Sequence, residues 1–140
     1  MKVNCNDEGI RKSVEIIENG GVIIFPTDTV YGIGCNPYDA NAVKKIYEIK
    51  SREKIKSLPV LASSIEIVKQ ISIIDEFTEK IIKKYWPGPL TLILKLKDKN
   101  LKESLNLEDK IAVRIPNSVC TLKLLNKENL LILIESSCIN

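Results

Sequence analysis

The sequence predicts an α/β domain built around a mixed β-sheet. Short β-branched segments bounded by glycine or proline recur along the chain, and stretches with apolar residues at helical spacing separate them in an irregular order. The length of 140 residues suits one domain with its own hydrophobic core. No internal repeat, low-complexity stretch or interdomain linker divides the sequence, so we expect one domain over residues 1–140.

The composition excludes several classes of function. A net charge of +3 is too small to indicate nucleic-acid binding by itself. The absence of histidine excludes Ser-His-Asp and Cys-His catalysis. No long apolar segment and no signal-peptide start are present, which predicts a cytoplasmic protein. Four widely spaced cysteines without a CxxC pair predict buried free thiols and no zinc site: Cys5, Cys35, Cys120 and Cys138.

The first two predicted elements are a helix and a buried strand. The helix begins after Asn6, a good capping residue, and ends at Gly20. Residues 22–25 are apolar and β-branched between Gly-Gly and proline, which is typical of a buried strand. Strand pairing is expected to end at Pro26, because proline donates no hydrogen bond to a ladder.

The segment after this strand is predicted to be a ligand-binding loop. Open α/β sheets tend to bind ligands just beyond the carboxyl ends of their strands. Glycines allow close approach of a ligand to the backbone, and hydroxyl and carboxylate groups offer hydrogen bonds. The segment supplies both kinds of residue: Thr27, Asp28, Thr29, Tyr31, Gly32 and Gly34. It is not a dinucleotide fingerprint, since Pro37 stands where the third glycine would be, and it is not a P-loop, since no Gly-Lys-Ser/Thr occurs.

A helix capped by Asp39 or Asn41 follows, with Val43, Ile46 and Ile49 predicted on its apolar face. Its end and the next residues are basic, since six cations against Glu48 and Glu53 give a local charge of 6 − 2 = +4. One interpretation is a solvated helix face with a basic tail, and the other is an anion site beside the loop. The six cations are Lys44, Lys45, Lys50, Arg52, Lys54 and Lys56.

The second half of the chain continues the alternation of elements. Ser63-Ser64-Ile65-Glu66 resembles a capping box for a helix to about Ile71, and Asp75 begins another helix that the Trp86-Pro87-Gly88-Pro89 segment ends. That second helix is predicted to point Phe77, Ile81, Ile82 and Tyr85 inward. Ser118 caps a last helix to Leu125, and residues 97–109 form a charged connection. Further strands are predicted at residues 58–62, 90–96, 111–116 and 130–134.

Arg114 lies inside an apolar strand and needs a partner there. It either points outward from an edge strand or forms a clamp for a carboxylate, and its spacing does not favour one over the other.

Three blocks of sequence resemble the YrdC/Sua5 family of threonylcarbamoyl-adenylate synthases, and they occur in the family's order. The first runs from Pro26-Thr27-Asp28-Thr29 to Lys50-Ser51-Arg52 and on to Leu58-Pro59-Val60-Leu61. The others are Trp86-Pro87-Gly88-Pro89-Leu90-Thr91 and Ile111-Ala112-Val113-Arg114-Ile115-Pro116. The resemblance covers nearly the whole chain. It implies a YrdC-like (YrdC/RibB-type) fold, in which a twisted mixed sheet with surrounding helices encloses a basic cavity.

The resemblance also implies a reaction and a set of site residues. L-Threonine, bicarbonate and ATP would give L-threonylcarbamoyladenylate and pyrophosphate, for the t6A37 modification of tRNA. ATP would bind Lys50, Arg52, Lys56 and Ser137, while L-threonine would bind Thr27, Thr29, Tyr31 and Arg114, and Thr91 would line the cavity. Mg²⁺ would accompany ATP and be held through phosphates and water, without a protein site of its own.

The sequence departs from the family pattern in three places. Ser57 replaces a common proline, and no histidine follows the Leu-Pro-Val block. The family's Ser-Ala-Asn segment has only a weak counterpart near Ser137, after which the sequence ends, so we expect a domain that is short at its C-terminus. The alternative hypothesis is therefore a non-catalytic YrdC-like protein that binds double-stranded RNA, tRNA or a nucleotide. A third hypothesis is a carbamoyl-transfer domain of the hydrogenase-maturation type. The short length argues against it, because such a domain normally belongs to a much longer chain.

Overall fold

The computed structural model describes residues 5–26, 31–50, 59–128 and 132–134. The helices in these ranges are α1 (Asp7–Glu18), α2 (Ala40–Lys50), α3 (Ile65–Ile71), α4 (Glu76–Tyr85), α5 (Lys99–Ser104) and α6 (Val119–Glu128). The strands are β1 (Ile23–Pro26), β2 (Tyr31–Cys35), β3 (Val60–Leu61), β4 (Ser72–Ile73), β5 (Leu92–Leu96), β6 (Lys110–Arg114) and β7 (Ile132–Ile134).

The strands form one mixed sheet in the order β1-β2-β7-β3-β6-β5-β4. β3 and β6 are parallel, and the other pairs of described strands are antiparallel. The last strand, β7, lies inside the sheet between β2 and β3 rather than at an edge. The predicted fold class, α/β with a mixed sheet and surrounding helices, is confirmed.

One face of the sheet carries the larger core. Val60 of β3, Leu94 of β5 and Val113 of β6 pack there with buried side chains from α2 to α5, including Ile46 and Leu101. Alternate strand residues point to the same face, so the neighbours of Leu94 and Val113 point to the other side.

The opposite face is covered only in part. α1 and α6 pack over the β1 side, where Ile17, Leu125 and Phe25 belong to a second buried cluster that also includes Leu61 of β3. Beyond β6 this face is mostly exposed. We call its exposed residues the open face: Ile73 of β4, Thr91, Ile93 and Lys95 on or beside β5, and Lys110 of β6.

Local capping signals in the sequence are largely confirmed. The Asn6 side chain accepts from the Gly9 amide at 2.8 Å and begins α1, and Gly20 follows the helix with a φ of +79°. Asp39, and not Asn41, caps α2 by accepting from the Asn41 and Ala42 amides. Ser64 caps α3 and Ile67 stands three residues later, so the predicted capping box is wrong.

Several predictions that depend on tertiary contacts are wrong. Ile49 of α2 and Phe77 and Tyr85 of α4 are 59%, 72% and 50% exposed, because only part of each predicted apolar face meets the core. Ile82 is the buried contact of α4. β4 was not predicted, and α5 lies within residues 97–109, which were predicted to be a connection.

The predicted state of the cysteines is corrected at two positions. Cys5 and Cys120 form a disulfide that joins the start of α1 to the first turn of α6, with their Cα atoms 5.7 Å apart. Cys35 is a buried free thiol, as predicted. Cys138 lies outside the described residues.

Candidate functional site

Four strand ends meet at one edge of the sheet. Pro26 at the end of β1 pairs with Tyr31 at the start of β2, and Ile134 at the end of β7 pairs with Gly34 of β2. Val60 at the start of β3 pairs with Leu133 of β7. The register and strand directions therefore place these four ends on the same side, and they are the points at which segments 27–30, 51–58 and 135–140 join the sheet.

These three segments carry most of the predicted site residues. Thr27, Thr29, Arg52, Lys56 and Ser137 lie outside the described residues. Of Tyr31 and Lys50 the backbone alone is described, at the first residue of β2 and the last residue of α2. The described residues therefore show the common edge of the sheet at which these three segments join the strands.

The glycines of this region have a different place from the one predicted. Gly32 and Gly34 are residues of β2, pairing with Phe25 and Ile23 of β1. Both glycines are buried. The prediction that residues 31–34 belong to an irregular loop is therefore wrong, because they form the return strand of a hairpin.

Arg114 is buried at the end of the central strand β6. It is 5% exposed, and its Nε donates a hydrogen bond of 2.8 Å to the Gly88 carbonyl. Burial lowers the pKa of its guanidinium. The interpretation of Arg114 as an outward-pointing residue of an edge strand is wrong, since β6 lies between β3 and β5.

The Trp86-Pro87-Gly88-Pro89 turn is fastened to β6 at the same place. The Gly88 amide donates to the Ile115 carbonyl at 2.9 Å, beside the bond from Arg114 to the Gly88 carbonyl. A Cβ at Gly88 would come within 2.5 Å of the Tyr85 carbonyl oxygen, so only glycine fits. The Trp86 indole N–H donates to the Leu90 carbonyl at 2.6 Å and closes the turn. This turn was predicted as a helix stop, but its bonds to β6 had no signal in the sequence.

Thr91 leaves this turn on the open face. It precedes Leu92, whose antiparallel partner Val113 precedes Arg114, so Thr91 and Arg114 are neighbours across the β5–β6 ladder. Thr91 is exposed whereas Arg114 is buried. These are the two predicted site residues whose side chains are described, and the structure brings them together.

A groove of about 470 Å³ is lined by Tyr38, Ala40, Asn100, Glu103 and Ser104, between the start of α2 and α5. The Tyr38 hydroxyl donates to Asp98 at 2.7 Å, and burial together with this bond raises the pKa of Tyr38.

In the part of the chain that the structure describes, no group of three or more His, Cys, Asp or Glu residues could hold a metal ion. Nor is any helix in it long and apolar enough to cross a membrane.

The fold and this edge define a class: an α/β protein whose curled mixed sheet gathers its candidate ligand-binding segments at the ends of four strands. The Sua5_yciO_yrdC family model, described as "Telomere recombination", matches residues 15–139. The chain belongs to the Sua5/YrdC family, which confirms the resemblance seen in the sequence.

Two curated relatives carry the name threonylcarbamoyl-AMP synthase. The one from Pyrococcus abyssi is 38% identical over 117 residues, which are 83% of this chain and 34% of the relative. The one from Bacillus subtilis is 33% identical over 131 residues, which are 92% of this chain and 38% of the relative. The chain thus spans little more than a third of the length of these two proteins.

A solved structure of P. abyssi Sua5 in complex with L-threonine has a similar fold. It superposes with a TM-score of 0.83 at 34% identity, covering 93% of this chain and 38% of that one. The agreement extends over nearly all of this chain, so the sheet described above is the sheet of the family.

Proposed function

We propose that this chain is a threonylcarbamoyl-AMP synthase. The amine of L-threonine and bicarbonate would form a carbamate, whose oxygen attacks the α-phosphorus of ATP and displaces pyrophosphate. The product, L-threonylcarbamoyladenylate, would serve the t6A37 modification of tRNA. The observation that carries the proposal is the family match over residues 15–139, which includes all three sequence blocks.

The ATP phosphates would be held by Lys50, Arg52, Lys56 and Ser137. Lys50 is the last residue of α2, and the segment after it leads to β3 at the edge where four strand ends meet. Clustered lysine and arginine suit phosphate oxygens, because their charges compensate and their N–H groups donate. Mg²⁺ would reach the site with ATP, bound mainly through phosphates and water.

L-Threonine would be held by Thr27, Thr29, Tyr31 and Arg114. Tyr31 pairs with Pro26 at the same edge, and Thr27 and Thr29 lie between them in sequence. A carboxylate partner stabilises the charge of a buried guanidinium, and this supports a role for Arg114 in binding the carboxylate of L-threonine. Thr91 beside it would line the cavity, whose basic character comes from the residues proposed to bind ATP.

Catalysis in such a site would depend on positioning and charge. The reaction needs no histidine nucleophile, since the carbamate oxygen is itself the nucleophile, and this agrees with a chain that has none. Cations around the α-phosphate would stabilise the negative charge that develops there. The compartment we propose is the cytoplasm, and partners would include tRNA and proteins of the t6A pathway.

The first experiment measures pyrophosphate release by the purified chain with ATP, Mg²⁺ and bicarbonate, with and without L-threonine. A synthase releases pyrophosphate only when threonine is present. Lys50→Ala and Arg52→Ala are each expected to lower turnover by at least 100-fold, because the loss of one phosphate contact removes about 3 kcal/mol of transition-state stabilisation. Lys102→Ala on the exposed surface of α5 is the matched control and should keep full turnover. Unchanged turnover in the first two variants would refute the phosphate site.

A second candidate function is binding without catalysis. The chain spans 34% and 38% of the lengths of the first two relatives, so similarity alone does not carry the activity of those whole proteins over to it. A non-catalytic YrdC-like protein would bind double-stranded RNA, tRNA or a nucleotide through the same basic residues. RNA affinity would then fall steeply with salt and would not require ATP or threonine. Folded protein that binds RNA in this way and releases no pyrophosphate would favour this second function.

A further inference from the structure

We propose that the Cys5–Cys120 disulfide is a redox-controlled clasp between α1 and α6. Cys5 stands two residues before α1, and Cys120 is the second residue of α6. Their Cα atoms are 5.7 Å apart although 115 positions separate them in sequence. The bond therefore joins the beginnings of two helices that start at the same place and cover the same half of the sheet.

Small reagents can reach the Cys5–Cys120 disulfide. Cys5 is exposed and Cys120 is half-buried. Cys35, by contrast, is 0% exposed, and burial raises the pKa of its thiol to about 12. A thiol reductant such as glutathione can therefore reach the disulfide, while Cys35 stays protonated and shielded.

The exchange chemistry favours a defined order of steps. A reductant thiolate attacks the more exposed sulfur, Cys5 Sγ, and the electron pair of the broken S–S bond leaves with Cys120. Cys120 lies in the first turn of α6, where the helix N-terminus favours a negative charge. A second reductant thiolate then attacks the reductant's sulfur in the mixed disulfide, which releases Cys5. One oxidised reductant disulfide and two protein thiols result, with their protons taken from solvent.

A groove and a set of buried apolar side chains both lie between the two helices. A groove of about 340 Å³ lies between them, lined by Asp7 and Ile10 of α1 and by Lys123, Asn126 and Lys127 of α6. Ile10, Val14 and Ile17 of α1 are buried together with Leu124 and Leu125 of α6 in the shared cluster. The covalent bond thus adds to the apolar contacts that join the two helices.

Reduction of the disulfide is expected to weaken ligand binding at the candidate site, and this step rests on the proposed function. α1 leads into β1, whose end at Pro26 precedes segment 27–30, and α6 precedes β7, whose end at Ile134 precedes segment 135–140. Of the two strands, β1 packs against the helix layer that the clasp holds, since Ile23 and Phe25 belong to the same buried cluster. We expect ATP to bind several-fold more weakly to the reduced protein.

The test uses the purified full chain equilibrated in buffers of reduced and oxidised glutathione. Thermal unfolding by circular dichroism should give two midpoints, with reduction lowering the midpoint by on the order of 10 °C, because the bond closes a long loop in the unfolded chain. Under denaturing conditions the oxidised protein should show 4 − 2 = 2 free thiols and the reduced protein 4. Intact mass distinguishes the internal disulfide from glutathione adducts.

Variants decide the assignment. The Cys5→Ser/Cys120→Ser double variant should have one midpoint in both buffers, equal to that of the reduced wild type, whereas Cys138→Ser should keep the shift. Hydrogen exchange should accelerate in α1 on reduction and stay unchanged in β5 and β6. Equal midpoints for oxidised and reduced wild type, or a shift that persists in the double variant, would overturn the clasp. Failure to bind ATP in either state would count against the proposed function alone, since the thermal midpoints still decide the clasp.

Discussion

At the scale of single residues, Cys35 is the buried ionisable group with the clearest consequence for stability. Its side chain is 0% exposed and belongs to the larger core. Burial, with a smaller contribution from Asp39, raises the pKa of its thiol from 9.0 to about 12. A raised pKa means that the unfolded chain loses this proton first, so the stabilisation is complete below pH 9.0 and is lost as the pH rises toward 12.

Cys35→Ala should therefore remove part of the alkaline destabilisation. At pH 7 the variant is expected to be about 1 kcal/mol less stable than the wild type, since it loses buried volume. By pH 10 the wild type should have lost roughly 1.4 kcal/mol through this thiol, so it should then be no more stable than the variant. Urea unfolding of both proteins at pH 7 and pH 10, with the Cys5–Cys120 bond oxidised in both, measures this. A difference that stays constant with pH would contradict the assignment.

For single residues, the sequence is most informative where the chemistry is local. Arg114 was recognised in the sequence as a cation in an apolar strand that needs a partner, and a partner exists in the Gly88 carbonyl. Which group it contacts could not be predicted, because Gly88 and Arg114 are 26 positions apart and meet through the fold. The prediction of free thiols is wrong at Cys5 and Cys120 for the same reason, since this pair is created by the packing of α1 on α6.

At the scale of elements, Asp98 connects a short helix to the rest of the molecule. Its side chain caps α5 by accepting from the Asn100 and Leu101 amides at 2.9 and 3.1 Å. The same carboxylate accepts from the Tyr38 hydroxyl at 2.7 Å. α5 has six residues, so it depends on its cap and on the buried Leu101 for stability.

Three variants separate the two roles of Asp98. Asp98→Ala should cost about 1–2 kcal/mol, because it removes both the cap and the acceptor for Tyr38. Asp98→Asn keeps a side-chain oxygen that caps helices well and should cost less than half as much. Tyr38→Phe removes the tertiary bond alone and should cost about 0.5 kcal/mol, since Tyr38 is 42% exposed. Chemical denaturation ranks them, and equal losses for Asp98→Ala and Asp98→Asn would show that the cap contributes nothing.

The elements themselves were mostly predictable because their signals are short-range. Asn6, Asp75 and Ser118 were all assigned from the sequence as helix starts, and each accepts a hydrogen bond from an amide of the helix that follows. α5 was missed because a six-residue helix with one buried apolar residue has no readable periodicity. The inward faces predicted for Ile49, Phe77 and Tyr85 failed because spacing defines a face but not what covers it.

At the scale of the whole molecule, the order of the strands is what the sequence could not provide. β7 comes last in the chain but lies between β2 and β3, and β3 pairs in parallel with β6 about 50 positions later. This arrangement gathers the ends of β1, β2, β3 and β7 at one edge. No local signal encodes this strand order: the residues themselves indicate candidate binding segments after β1 and α2, and the family resemblance alone places them in one site.

The same arrangement leaves half of one face exposed, and adjacent residues of β5 test this. Leu94 is 6% exposed in the larger core, whereas Ile93 on the open face is 71% exposed. Leu94→Ala should cost about 2–4 kcal/mol, as expected for a truncated core side chain. Ile93→Thr keeps the β-branched shape and should change stability by less than about 0.5 kcal/mol.

Urea unfolding of the two variants, with unchanged m-values as the control, compares the faces within one strand. Both positions lie in β5 between the same neighbouring strands, so the two variants differ mainly in the face that each side chain occupies. A loss at Ile93 as large as that at Leu94 would mean that the open face is covered in solution. The larger size of the relatives makes this outcome informative, because it would show that the sheet needs a covering layer that the described residues do not supply.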